Sequence, residues 1–233
     1  MGKDRPAIAL ALVIFCGAAI PLPAAAGDIP VHTAGTTFDV PITSLKELRF
    51  RRVVRQAYDF SCGSAAVATL LTYHYSRPTP EATVLQDMFE VGNQEKIKKE
   101  GFSMLDMKRY LASIGLDAEG YRVGLDKVAE VGVPGITLIE TNGYMHFVVL
   151  KGIRGREVLV GDPALGTKVV SRDRFADEWN GIFFVITGKT DEAKDHFNSH
   201  DDWKLVAETP LAAAVATQSL ADTMLSLPGP NQF

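Results

Sequence analysis

Up to Gly115 the apolar residues of this 233-residue chain recur at helical spacing; beyond it they come in short dense runs bounded by glycine. That change of period restricts the fold more than any other feature, because a helical stripe and a strand bury apolar surface differently and do not exchange roles. In the first half Ser61 is followed by CGSAAVATLLTYHY, where Ala65, Ala66 and Ala68 favour helix and Ala66, Leu70 and Tyr73 share one face; Ser61 is placed to cap it. Pro78 and Pro80 stop this helix and open another near 81–89, a polar connection runs over 92–100, and Ser103-Met-Leu-Asp106 is a capping box for a third helix that Gly115 ends. In the second half 118–123, 135–140, 145–153, 157–161 and 181–187 read as strands, with a tight turn at Arg154-Gly155. Residues 48–54 read as a strand or sheet edge. Helices first and strands afterwards imply an α+β fold, helices packed on a mainly antiparallel sheet, and 48–188 is enough chain for one core.

The flanks read differently. Lys3 and Arg5 precede an uncharged apolar run over 7–20, then Pro21, Pro23 and Ala24-Ala25-Ala26. This is the order of a secretory signal peptide over 1–26, with cleavage before Gly27; the run is too short to span a bilayer. No integral membrane segment is expected after cleavage, and the mature chain is expected in the periplasm. Cys16 leaves with the signal, so Cys62 is the one thiol retained and no internal disulfide can form. A leftover cysteine in an oxidising compartment is a reactive group or a buried bystander. Residues 27–47 read as an extended lead-in and 189–233 as a C-terminal tail, with Thr209 capping a helix over 210–227. The formal net charge of -4 offers no basic field for nucleic acid or anionic lipid.

Cys62 falls in the first turn of its helix, where unpaired N–H groups and the dipole favour a thiolate, and Gly63 beside it leaves room for a substrate backbone. Such a thiol needs a base, and five histidines compete. His32 lies in the lead-in, and His196 and His200 in the tail. His74 is about 18 Å from Cys62 along a helix rising roughly 1.5 Å per residue. His146, opening an apolar strand after Gly143, is the candidate. If the hairpin turns about Arg154, His146 stands opposite Asp162 on one face of the sheet, where the carboxylate can orient the ring. The alternative use of Asp162-Pro163 is a strand-ending turn. Gln56, six residues before Cys62, could donate with the Cys62 N–H to an oxyanion. His196 and His200, four apart among Asp195, Asp201 and Asp202, resemble a zinc pair, but Phe197 stands where the zinc-protease pattern needs glutamate. No metal and no cofactor is expected.

Gln56-AYDFS-Cys62-Gly63-SAAVATLL resembles the nucleophile motif of the bacteriocin-processing, double-glycine-leader cysteine peptidases of the papain-like clan. Met145-His146-FVVLKGI and the run VLVGDPALG over 158–166 resemble that family's histidine and aspartate motifs, and GFSMLDMKRYLASIGLDAEGYR from Gly101 its intervening helix and strand. The resemblance covers roughly 48–188. It implies a papain-like fold, with Cys62 as nucleophile, His146 as general base and acid, Asp162 as orienting carboxylate and Gln56 as oxyanion donor. It further implies a protein or peptide substrate. A signal peptide in front and no transporter behind resemble the stand-alone exported members encoded with functional-amyloid (Fap) secretion systems, so a secretion system or an amyloid subunit is the expected partner. Two other readings stay open: a non-enzymatic secretion or client-binding module, and another papain-like thiol hydrolase acting on cell-wall peptides.

Overall fold

The computed structural model of the protein describes residues 28–33, 36–41, 44–141 and 143–207. The signal segment read over 1–26 and the helix read over 210–227 lie outside them. The chain divides into two units, 1–43 and 44–233. In the first, β1 (Asp28–Thr33) and β2 (Thr36–Pro41) form an antiparallel ladder with Ile29 against Val40 and Val31 against Phe38.

The second unit places its helices first: α1 (Leu45–Phe50), α2 (Cys62–His74), α3 (Glu81–Val91), α4 (Gln94–Glu100) and α5 (Met104–Ser113). Strand β3 (Ala118–Arg122) and α6 (Leu125–Val131) lead into a meander of β4 (Gly135–Thr141), β5 (Tyr144–Arg154), β6 (Glu157–Asp162) and β7 (Gly166–Ser171). Helix α7 (Arg172–Glu178) returns the chain to β8 (Trp179–Ile186), followed by α8 (Thr190–Lys194) and α9 (His200–Ala207). The six-stranded sheet has the order β3-β8-β4-β5-β6-β7, antiparallel at every pairing. This is the α+β arrangement that the change of period implies.

Helix α2 is buried on all sides from Cys62 to Leu71. Gly63, Ser64, Ala65, Ala66 and Ala68 are small enough for β5, α3 and α5 to close on its axis, which is why so little polar surface is coded there. Strand β5 is buried from His146 to Ile153 and accordingly reads as a nearly continuous apolar run. The capping box of α5 forms with both halves, Ser103 and Asp106.

Local readings change at four places. Residues 48–54 hold no strand: Ser44 and Glu47 cap each other's backbone and α1 begins between them. The polar connection contains α4, capped by Asn93, which buries only Ile97; one apolar residue leaves no period to read. Ser61 precedes α2 without capping it, because its hydroxyl accepts from Tyr58 N at 3.1 Å and donates to Tyr58 O at 3.0 Å. Within the stretch read as a tail, α8 and α9 bury Ala193, Asp202 and Leu205.

The turn from β6 to β7 ends at Gly166, whose φ is +83°. A Cβ there would lie 2.6 Å from Arg49 Cβ and 2.8 Å from the Arg49 carbonyl atoms. Left-handed backbone and close approach both demand glycine. Gly166→Ala should therefore destabilise the fold by about 2 kcal/mol or more, read as a lower urea midpoint. An unchanged midpoint would show that the turn and α1 can separate without cost.

Candidate active site

Two devices decide which residues of the β5–β6 hairpin share a face. Arg154 pairs with Glu157, so the turn is Gly155-Arg156, one residue later than the sequence reading placed it. Carried straight down the ladder, that pairing sets Asp162 opposite Val149 and leaves His146 on the other face. The ladder is not straight. Gly152 pairs with Leu159 but Leu150 pairs with Val160, leaving Lys151 as an extra residue in β5. Beyond this bulge Val149 pairs with Gly161, and Asp162 falls on the face of Val148 and His146. The expected direct His146–Asp162 pairing is thus replaced by a diagonal one.

His146 Nε2 lies 2.8 Å from Asp162 Oδ1, with both residues buried. The same oxygen accepts from Ala164 N at 2.9 Å and Leu165 N at 3.2 Å, while Oδ2 accepts from Lys168 Nζ at 2.7 Å. The two uses weighed for Asp162, ring partner and turn former, are therefore carried by one oxygen atom. Burial works against its charge, but the hydrogen bonds and charges of His146 and Lys168 prevail and hold the carboxyl well below the usual carboxylate range.

Cys62 opens α2 and is buried. With Nε2 committed to Asp162, Nδ1 is the ring nitrogen left for the thiol; it is buried and has no close partner in hydrogen-bond geometry among the described residues. Cys62 nevertheless stands near enough to act on the ring. Burial lowers the imidazole pKa, and the hydrogen bonds and charges of Asp162 and Cys62 overcome burial, raising it to about 9. At neutral pH the ring is a cation that donates through Nε2 to Asp162, with Nδ1 as its second N–H. A ring charged in this way can return a proton to a leaving group.

The sequence reading of Gly63 does not hold. A Cβ there would meet Phe102 Cβ at 3.1 Å and Met107 Cε at 3.2 Å, so the glycine serves packing of α5 on α2 rather than substrate approach. Gln56 lies on the loop before α2, its N–H bonded to Pro163 O at 3.1 Å, next to Asp162 in sequence. Its Nε2 donates to Tyr58 O at 3.0 Å, and its Oε1 is buried without a partner among the described residues. A cavity of about 640 Å³ opens at Cys62, walled by Phe60, Phe102, Met104, Leu138, Met145 and Phe147.

Of the other histidines, His74 is buried at the far end of α2 and kept neutral by burial and by the charges of Lys151, Arg52 and His196. His200 is exposed beside Asp201, and no metal-ligand cluster forms among the described residues. Tyr144 and Lys168 escaped the sequence reading. The Tyr144 hydroxyl donates to Asp59 O at 2.8 Å, tying the start of β5 to the loop before Cys62. Lys168 could have been found as a cation six residues after Asp162 across a predicted turn.

Replacing the carboxylate removes the main partner that raises His146. Asp162→Asn retains an oxygen for Ala164 N and Leu165 N, so the turn should persist, while the ring midpoint should fall below about 9 in an NMR titration. The pH–stability curve should change with it. A raised imidazole pKa stabilises the fold below the ordinary value of 6.5, and that contribution is lost as pH rises through about 9. The variant should lose less stability across this window than wild type. An unmoved midpoint would assign the ring's charge to Cys62 alone.

Comparison with known proteins identifies the family. The sequence profile of the peptidase C39 family matches residues 51–191. The probable functional amyloid protease FapD of Pseudomonas aeruginosa is 43% identical over 166 residues, covering 71% of this chain and 74% of that protein. Its namesake from Pseudomonas fluorescens is 42% identical over 169 residues, covering 72% and 75%. In fold, the peptidase domain of Streptococcus ComA superposes with a TM-score of 0.50 at 20% identity, over 58% of this chain and 97% of that domain. The matched region contains Gln56, Cys62, His146 and Asp162. The chain belongs to the peptidase C39 family and is a cysteine peptidase of papain-like α+β fold.

Proposed function

We propose that this peptidase is exported to the periplasm and cleaves an exported protein, such as a functional-amyloid component, through a Cys62–His146–Asp162 thiol mechanism. The observation that carries the reading is the imidazole held between a thiol and a buried carboxylate, with its pKa raised to about 9. The Cys62 thiolate attacks the scissile carbonyl. His146 gives its Nδ1 proton to the leaving amine as the thioester forms, then takes a proton from the water that hydrolyses it. Asp162 keeps Nε2–H engaged throughout. The Cys62 N–H and the second N–H of the Gln56 amide receive the oxyanion. The named activity of the Pseudomonas relatives supports an amyloid-related substrate, and the residue order over 1–26 supports export.

Mass spectrometry of exported proteins co-expressed with wild type or with Cys62→Ala tests the reading, with a processed fragment expected only with wild type. Intact substrate profiles in both strains would overturn it. Iodoacetamide should alkylate Cys62 much faster than a free thiol at pH 6.5, and His146→Ala should slow the reaction markedly. Equal rates would remove the thiolate–imidazolium pair.

Gln56→Ala should leave alkylation almost unchanged and lower turnover by roughly 10²–10³, the scale for one lost oxyanion donor. Full turnover in a folded variant would place the oxyanion donors elsewhere.

A further inference from the structure

The bulge that brings His146 to the face of Asp162 is itself unfavourable, because an extra residue leaves main-chain groups without ladder partners. Past Leu150, where β4 no longer runs alongside, carbonyls of β5 at and just after the bulge are met from outside the sheet. Asn198 N donates to Lys151 O at 3.0 Å, and Asn198 Nδ2 donates to Ile153 O at 3.0 Å. Asn198 is held in place in turn: Arg154 Nη2 donates to its carbonyl at 2.9 Å, and Trp203 Nε1 to its Oδ1 at 3.2 Å. The approach requires glycine at 152, where a Cβ would lie 2.3 Å from Asn198 Oδ1.

The side chain of the inserted residue is secured as well. Lys151 is fully buried, its stem crossing Gly161, where a Cβ would come within 3.0 Å of Lys151 Cδ. Its ammonium donates to Arg52 O at 3.0 Å and to the Asp202 carboxylate, which also accepts from Arg52 Nε at 2.9 Å. Burial draws the lysine pKa down to about 8, with Asp202 opposing the fall and Arg52 adding to it. His74, neutral, completes the surroundings. Asp202 is the counter-charge, and without it a buried ammonium is strongly unfavourable.

Both supports come from residues 198–202, beyond the family match that ends at 191. We propose that Asn198 and Asp202 are positioning residues which clamp the β5 bulge and thereby hold His146 in register with Asp162. The proposal rests on the assignment of His146 above. Without the clamp, the ladder straightens, the pairing set by the turn continues, and the ring moves to the opposite face.

The test compares full-length wild type with Asp202→Ala, Asp202→Glu and Asn198→Gly, reading the His146 titration by NMR, the pH profile of Cys62 alkylation, and thermal unfolding. In folded Asp202→Ala and Asn198→Gly the ring midpoint should move from about 9 toward 6.5, and alkylation at pH 7 should slow by about tenfold or more. Asp202→Glu should recover part of both. If Asp202→Ala fails to fold, Asn198→Gly decides, because it leaves the buried ion pair intact. A folded variant that melts earlier yet keeps the wild-type midpoint and alkylation profile overturns the proposal, since the clamp would then be structural only. His146→Ala alkylating like wild type would instead sink the thiolate–imidazolium assignment, while the midpoint of the other variants still judges the clamp.

Discussion

One carboxylate holds the chemical end of this molecule together. Asp162 is buried and receives four donors: the His146 ring, two main-chain N–H groups of the following turn, and Lys168. Removing a carboxylate from water is costly, and the cost is offset only when its lone pairs are met and its charge is matched. Both conditions are satisfied, by a cation on β5 and another on β7. The group therefore stays ionised under burial, and its negative charge keeps the imidazole positive. Ring, turn and third strand are thus coupled through a single side chain.

That coupling needs His146 and Asp162 on one side of a pleated surface, and period-two alternation makes this an all-or-none matter. The two-residue turn at Gly155-Arg156 alone sets the wrong parity; the inserted Lys151 restores it. An irregular strand is therefore a requirement of the site. Beside the irregularity, Asn198 donates to two main-chain carbonyls of β5, and an ion pair reaches 51 residues along the chain.

The fold class was legible because the helix-to-strand change of period is large and because α2 and β5 bury almost every residue they contain. Cys62, His146 and Asp162 were legible as residues of the right chemistry at element ends. A symmetric hairpin would set His146 directly opposite Asp162, whereas the chain uses a later turn and a compensating bulge. The signal for that bulge was present as Lys151-Gly152, a charged residue and a glycine inside an apolar run. Helix α1 is signalled only by the Ser44 and Glu47 capping box, because six residues are too few to establish an apolar period. Asp202 was unreadable in principle: its partner is far away in sequence, and among neighbouring acidic residues nothing distinguishes the one that is buried.

Trp203 gives the clamp an optical property. The chain has two tryptophans, and this one lies under the Arg154 guanidinium at 4.6 Å with its indole N–H bonded to Asn198. An indole half-shielded by a cation and released to water when the segment lifts changes its emission colour and its quenching together. The intrinsic fluorescence of the protein thus reports on the seating of residues 198–203 against β5, without any attached dye.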